Sequence, residues 1–129
     1  DFEIKFIHDN NIRYWTSEEI NNLDYVPFNK MELGREHQKH CFLHLLKTIA
    51  VNKKIHLSLD VDALDPKYIP CTGTPVDNGL SLNFVTDLIS YLKPQIVNAD
   101  IVELNLDLKS KNDQEKSLNN TIEIIKSFI

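Results

Sequence analysis

The chain has 129 residues, a formal net charge of −5 and 42% hydrophobic residues, values typical of one small globular domain. No apolar run reaches the ~20 residues that a membrane-spanning helix needs, and the start lacks a signal-peptide pattern. The negative charge and the lack of a basic stripe argue against nucleic-acid binding. Cys41 and Cys71 have no CxxC spacing, which favours free thiols in a reducing, cytoplasmic setting.

The first part of the chain predicts helices and one short strand. Residues 3–10 are typical of the end of a helix, and residues 12–15, Ile-Arg-Tyr-Trp, predict a strand because they are aromatic and β-branched. Thr16 stands three residues before Glu19, a capping-box spacing that predicts a short helix. Residues 31–50 show helical periodicity and predict one long helix.

Residues 54–61 predict a strand that leads into a long loop over residues 63–81. Apolar and polar side chains alternate, so that each set is expected on its own face of the strand. The apolar set is Ile55, Leu57, Leu59 and Val61, and the polar set is His56, Ser58, Asp60 and Asp62.

The remaining segments predict a helix over residues 81–93 with Ser81 as its N-cap, a strand over 96–105 and a final helix over 112–129. Strands that alternate with helices predict an α/β fold with a parallel sheet. Three predicted strands are fewer than the about five or six of a typical sheet. This shortage, and a start at Asp1 rather than at methionine, predict that part of the domain lies outside this chain.

Asp60 and Asp62 are candidate metal ligands. Ligands of open α/β sheets bind beyond the carboxyl ends of the strands, and two close carboxylates repel unless a cation joins them. Mg²⁺ and Mn²⁺ prefer such oxygen ligands. Two alternatives remain: acidic residues that end a strand before an Asp65-Pro66 turn, or a DxDx[TV] phosphatase motif. Leu64 departs from the phosphatase motif, where Thr or Val is expected.

The stretch Ser-Leu-Asp-Val-Asp-Ala-Leu-Asp-Pro, followed by Thr-Gly-Thr-Pro and a glycine turn, resembles the signature of the ureohydrolases, which include arginase and agmatinase. The residues that match the family pattern are Ser58, Asp60, Asp62, Asp65, Pro66, Thr72, Gly73, Thr74, Pro75 and Gly79. The later Asp-Ile-Val-Glu-Leu-Asn, residues 100–105, resembles the strand of the family that ends in a substrate-facing glutamate. The resemblance covers most of the chain, as the C-terminal portion of one arginase-like domain, and it implies a three-layer α-β-α sandwich.

The resemblance also implies a chemistry. The family uses two Mn²⁺ ions joined by a bridging hydroxide, so Asp60 would bridge the ions and Asp62 would bind one of them. Glu103 would pair with the guanidinium group of the substrate, Thr74 would line the pocket, and Glu3 matches an acidic residue near the substrate amine. On the residues alone, the favoured interpretation of Glu103 is an exposed acid at a strand end or a partner for a lysine, and that of Thr74 is a turn hydroxyl.

The departures from the family pattern concern both turns and ligands. Asn78-Gly79 replaces a glycine pair, and Leu106 replaces a proline after Glu-x-Asn, which leaves the course of that loop open. The family's other metal ligands, a histidine and an Asp-x-His-x-Asp segment, do not occur in this sequence, nor does the segment with its catalytic histidine. We therefore expect no catalysis by this chain alone; it needs the N-terminal half, from the same gene product or as a separate chain.

The expected reaction is that of a hydrolase of linear amidines, with L-arginine and water giving L-ornithine and urea. Agmatine, guanidinobutyrate and formiminoglutamate remain open as substrates, and a non-catalytic arginase-like subunit is the alternative from another class. The resemblance also implies a cytoplasmic homo-oligomer, a trimer or a hexamer.

Four further residues could carry chemistry. His37, His40 and His44 share one face of the predicted long helix at metal-binding spacing, although a covering helix face explains them equally well. Cys71 is either a redox-sensitive thiol or a packed loop residue.

Overall fold

The computed structural model of the protein describes residues 2–22, 46 and 49–129. The predicted long helix over 31–50, with His37, His40 and His44, and also Cys41, falls largely outside the described residues. No helix within the described ranges is both long and apolar enough to cross a bilayer.

The described residues form helices and two strands. The helices are α1 (Phe2–Asp9), α2 (Ser17–Asn22), α3 (Leu82–Leu92) and α4 (Lys111–Lys126), and the strands are β1 (Ile55–Asp60) and β2 (Ile96–Val102). Short 3-10 helices span Val61–Ala63, Lys93–Gln95 and Leu106–Leu108. The helices predicted around residues 3–10, 16–20, 81–93 and 112–129 and the two later strands are thus confirmed to within a few residues, except that β2 ends at Val102 rather than at residue 105.

The strands β1 and β2 pair in parallel, with Ile55 opposite Ile96 and Asp60 opposite Val102. The connection between them contains α3, so the predicted parallel βαβ unit is confirmed. Along β1, half-buried and exposed side chains alternate from Ile55 to Asp60, as the sequence pattern predicts. One face therefore packs on the core, and the other carries polar side chains.

The predicted strand over residues 12–15 is wrong, since these residues form no strand. Trp15 instead packs against the hydrophobic core, and the ring of Tyr14 meets His8 edge-on with centroids 6.2 Å apart. The capping box after it is confirmed: Thr16 Oγ1 accepts from the backbone N–H of Glu19, and Glu19 Oε2 accepts from that of Thr16 at 2.7 Å.

The core lies between one face of the strands and the helices α3 and α4. Ser81 caps α3 through its hydroxyl, which accepts from the Phe84 N–H at 3.2 Å, as predicted. The core is formed by apolar side chains that are at least nine-tenths buried: Val61, Leu64, Ile69, Leu82, Phe84, Val85, Ile89 and Ile124. Removal of this apolar area from water stabilises the packing of the helices on the sheet.

Helix α4 is tied to the loop of residues 63–81, which we call the signature loop. The hydroxyl of Ser117, fully buried, accepts from the Cys71 N–H at 3.1 Å, and Asn120 Nδ2 donates to the Tyr68 carbonyl at 2.7 Å. The Cys71 side chain is itself fully buried, in agreement with a packed loop residue. These bonds satisfy buried backbone groups and hold the loop in place beyond β1.

Candidate active site

Asp60 ends β1 and starts the turn that follows it. Its backbone is still extended, with φ −81° and ψ 118°, and it caps the 3-10 helix Val61–Ala63. The Asp60 Oδ1 atom accepts from the backbone N–H of Asp62 at 2.9 Å. The same carboxylate is exposed and retains the capacity to accept further bonds or to bind a cation.

Asp62 lies inside that turn and is buried, with 8% of its surface exposed. Its Oδ2 atom accepts from the hydroxyl of Thr74 and from the Thr74 backbone N–H at 3.3 Å. The Thr74 hydroxyl is the main cause that lowers the pKa of Asp62, in opposition to its burial. The nearby hydroxyl of Thr72 lowers the pKa of Asp62 as well, so Asp62 is a charged carboxylate. Its other oxygen, Oδ1, is buried, and neither it nor the buried Thr72 hydroxyl has a partner in hydrogen-bond geometry.

The prediction that Val61 shares the apolar face of Leu57 and Leu59 is confirmed, whereas the prediction that Asp62 shares the exposed face of Asp60 is wrong. The chain leaves the strand after Asp60 and turns through a 3-10 helix, so the side-chain alternation of the strand no longer holds for Asp62. Val61 is fully buried in the core and Asp62 is buried under Thr74, whereas Asp60 is exposed. The turn and the bond from the Asp62 backbone N–H to Asp60 Oδ1 connect the two aspartates.

The signature loop folds back on its own start. The Leu80 N–H donates to the Ala63 carbonyl at 2.7 Å, and the Asp65 N–H donates to the Leu80 carbonyl at 3.1 Å. At Gly79 an added Cβ would lie 2.6 Å from the Asp65 nitrogen, so only glycine fits this crossing. Asn78 adopts φ 59°, which confirms that asparagine accepts the left-handed backbone of the turn.

Glu103 directly follows β2, whose last residue, Val102, is paired with Asp60. The sequence therefore places Glu103 at the same end of the sheet as the two aspartates. Its φ is 67°, a left-handed conformation that a glutamate adopts only at a cost of about 1–3 kcal/mol, and such strain clusters at functional sites. Two residues on, the Asn105 N–H donates to the Cys71 carbonyl at 3.0 Å and fastens this segment to the signature loop.

The course of the chain after Glu103, which the missing proline left open, is a short 3-10 helix over Leu106–Leu108. Asn105 caps it, since its Oδ1 atom accepts from the Asp107 N–H at 3.2 Å. Asn105 thus contributes twice, through its backbone to Cys71 and through its side chain to the cap. An Asn before a helical turn is a recognisable capping signal in the sequence. The bond from the Asn105 backbone to Cys71 has no such sequence signal.

The other predicted site residues are less defined. Glu3 lies on α1, but its side chain is outside the described residues, as are His37, His40 and His44. His56 lies on the polar face of β1 and contacts Asp100 of β2, with 3.0 Å between His56 Nε2 and Asp100 Oδ2. Asp100 is a residue that sequence reasoning missed as a candidate, although it lies in the same segment as Glu103.

Asp60 and Asp62 are suited to bind a divalent cation, although they are only part of a complete ligand set. One buried carboxylate oxygen of Asp62 lacks a partner, a costly state that a cation removes, and hard cations prefer such donors. Within residues 2–22, 46 and 49–129, no group of three or more His, Cys, Asp or Glu side chains comes together to hold a metal. Two carboxylates supply only a minority of the ligands that a hard cation takes.

Comparison with known proteins places this arrangement in a family context. Residues 4–128 match the family model described as "Arginase family". The arginase of Neurospora crassa is 32% identical over 114 residues, which cover 86% of this chain and 28% of that protein. The N(1)-aminopropylagmatine ureohydrolase of Thermus thermophilus is 43% identical over 58 residues, 43% of this chain and 20% of that protein.

The fold agrees with the sequence match. The crystal structure of arginase from Bacillus subtilis superimposes with a TM-score of 0.75 and 28% identity over 99% of this chain and 40% of that chain. The predicted arginase-like α/β class is thereby confirmed. The chain spans well under half the length of these relatives. From the family match over nearly its whole length, the chain belongs to the Arginase family.

Proposed function

We propose that the intact protein containing this chain is a ureohydrolase that cleaves a guanidino group, with L-arginine and water giving L-ornithine and urea. The observation that carries the proposal is Asp62, a buried and charged carboxylate with one unpaired oxygen, whose backbone N–H donates to the exposed carboxylate of Asp60. Family membership supports a hydrolase of this class. An acid pair that only ended a strand has no need of a buried, unpaired oxygen.

Asp60 and Asp62 are the residues in this chain that would hold Mn²⁺, two ions per complete site. When bound, such a metal pair lowers the pKa of a water molecule and supplies a nucleophile at neutral pH. Thr74 keeps Asp62 ionised and fixes the orientation of its carboxylate through two bonds to Oδ2, so that Oδ1 remains available as a ligand atom.

Glu103 is proposed to bind the guanidinium group. A carboxylate accepts two parallel N–H bonds from this planar cation, which fixes its orientation. The left-handed backbone at Glu103 and the Asn105–Cys71 bond that follows it fix the position of the Glu103 backbone at the end of β2. Holding the reacting carbon at a fixed distance from a nucleophile removes much of the entropic cost of the reaction.

The remaining ligands, and the histidine that handles protons, are proposed to come from polypeptide outside these 129 residues, as an upstream part of the same gene product or as a separate chain. Two facts support this: the chain covers 28% of the Neurospora arginase, and the described residues hold no group of three ligands. By itself the chain is expected to be inactive. A cytoplasmic location, a homo-oligomeric assembly and a role for Glu3 stay predictions.

The substrate is proposed from the relatives. The match to the Neurospora arginase covers more of the chain than the match to the Thermus ureohydrolase, and this longer coverage favours L-arginine. The Thermus ureohydrolase has the higher sequence identity, but over a shorter range. Agmatine, guanidinobutyrate and formiminoglutamate are the competing substrates.

The test measures urea release from L-arginine, agmatine and guanidinobutyrate, and formamide release from formiminoglutamate, by the intact protein with Mn²⁺. The Asp60→Asn variant is compared with Asp107→Asn, an exposed carboxylate outside the site. We expect Asp60→Asn to lose activity by a factor of about 100 or more and Asp107→Asn to keep it. Unchanged product release by Asp60→Asn would show that this chain is a non-catalytic arginase-like subunit.

A further inference from the structure

A polar cluster joins the two strands just before they reach the proposed site. Asp100, on β2, contacts two side chains of β1: the Ser58 hydroxyl donates to its Oδ1 atom at 2.6 Å, and His56 Nε2 lies 3.0 Å from its Oδ2 atom. Both oxygens of this carboxylate are thus engaged by the neighbouring strand. None of the roles proposed above uses these three side chains.

The strand register relates this cluster to the site. Ser58 is directly opposite Asp100, and one alternation further along, Asp60 is opposite Val102. Side chains two residues apart on a strand share a face, so Asp100 and Asp60 lie on the same polar face of the pair. The cross-strand bonds therefore act two residues before Asp60 and three residues before Glu103.

The contacts of Asp100 also have a direction. They go to the residue opposite and to His56, which lies nearer the amino end of β1, and not to Asp60. Two carboxylates on the same face of neighbouring strands repel each other. Ser58 and His56 provide Asp100 with partners on the side away from Asp60, so a third carboxylate stays clear of the aspartate pair.

Stability alone is a poor reason for such a cluster. The side chains of His56 and Asp100 are 53% and 44% exposed, and exposed ion pairs contribute little to folding. The cluster can instead act on geometry. Two contacts to one carboxylate constrain the relative placement of β1 and β2 where both strands lead into the site.

We propose that Asp100 is a positioning residue. Its bonds to Ser58 and His56 fix the separation between Asp60 and Glu103, and they hold Asp100 itself away from the metal ligands. This inference rests on the proposed function, since it assigns Asp100 a role toward the same metal and substrate.

The test compares Asp100→Ala with Asp100→Asn and with Asp107→Asn as the matched control, all in the intact protein. Mn²⁺ affinity is measured by calorimetry, and KM and kcat by product release. We expect the Mn²⁺ dissociation constant of Asp100→Ala to rise on the order of tenfold and its KM to rise as well. Asp100→Asn should recover part of both, since its amide oxygen can still accept from Ser58.

Two further measurements keep the test decisive. Ser58→Ala removes one donor without an acidic residue being lost, and it should shift the Mn²⁺ dissociation constant in the same direction by less; it decides the question if Asp100→Ala does not fold. The ¹⁵N shift of His56 Nε2 should change in Asp100→Ala and not in Asp107→Asn.

The inference is overturned if Asp100→Ala and Ser58→Ala bind Mn²⁺ and substrate as Asp107→Asn does, with at most a lower melting temperature. That outcome leaves the proposed function intact, because the wild-type protein would still bind Mn²⁺ and release product. A wild-type protein that binds no Mn²⁺ overturns both.

Discussion

Thr74 holds one oxygen of the Asp62 carboxylate with two donors, its hydroxyl and its backbone N–H, and leaves the other oxygen without a partner. Thr74 lies twelve positions after Asp62, and the residues between them form most of the signature loop, so the loop brings this threonine back to the aspartate. The conformation of the signature loop therefore decides whether Asp62 Oδ1 is free to bind a metal ion.

Replacement of Thr74 by valine tests this connection. Valine has nearly the shape of threonine but no hydroxyl, so Asp62 Oδ2 keeps only the backbone donor at 3.3 Å. We expect Mn²⁺ affinity in the intact protein to fall about tenfold, as for other supports of metal ligands. Thr74→Ser, which keeps the hydroxyl, should bind within about threefold of wild type. Equal affinities of the two variants in a calorimetric titration would refute the role of the hydroxyl.

Replacement by alanine is expected to destabilise the protein at Gly79 and to have almost no effect at Gly73. A Cβ at Gly79 would lie 2.6 Å from the Asp65 nitrogen and 2.7 Å from the Ala63 oxygen, both backbone atoms, whereas at Gly73 nothing lies within 4 Å. We expect Gly79→Ala to lower the free energy of unfolding by about 3 kcal/mol through steric overlap. Gly73→Ala should stay within about 0.5 kcal/mol of wild type. Urea denaturation of both variants measures the difference, and similar midpoints would contradict the crossing of the loop.

Asp65 predicts a pH dependence of stability. Its Oδ1 atom accepts from the Lys67 backbone N–H at 2.8 Å, which is the main cause that lowers the pKa of Asp65 below its ordinary value of 3.8. Because the folded-state pKa is the lower one, the stabilisation is fully present above the unfolded-state value and is lost as the pH falls through the folded-state value. Acid unfolding should therefore show a step in this range that Asp65→Asn lacks.

A matched variant separates the two contacts that Lys67 makes with Asp65. Lys67→Met removes the ion pair, in which Nζ lies 3.2 Å from Asp65 Oδ2, and keeps the backbone bond. An NMR titration of the Asp65 carboxyl carbon should still give a pKa below 3.8 in this variant. A return to the ordinary value would show that the lysine charge, not the turn, lowers the pKa.

The sequence predicted those parts of the fold that depend on local patterns. Alternation gave β1 its buried face, Ser81 marked the start of α3, and Thr16 with Glu19 marked α2. The strand predicted over residues 12–15 failed because strand propensity depends on a partner strand, and there Trp15 packs half-buried against the core instead.

The sequence predicted which residues form the candidate site better than it predicted how they are arranged. The signature pointed to Asp60, Asp62, Thr74 and Glu103, but period-2 alternation was extended past the true end of the strand, so the burial of Asp62 by Thr74 did not follow from it. The contacts Ser117–Cys71, Asn105–Cys71 and Ser58–Asp100 join segments 34 to 46 residues apart. No local pattern encodes such contacts, because they depend on how the elements pack.

Mn²⁺ binding to the intact protein is the first measurement to make on the proposal that this chain contributes Asp60 and Asp62 to a metal site. Calorimetric titration of wild type should give two ions per site. Asp62→Asn should weaken binding of at least one of them by a factor of about 100, while Asp107→Asn should bind as wild type does. Binding by Asp62→Asn that matches wild type in both stoichiometry and affinity would show that Asp62 is not a metal ligand.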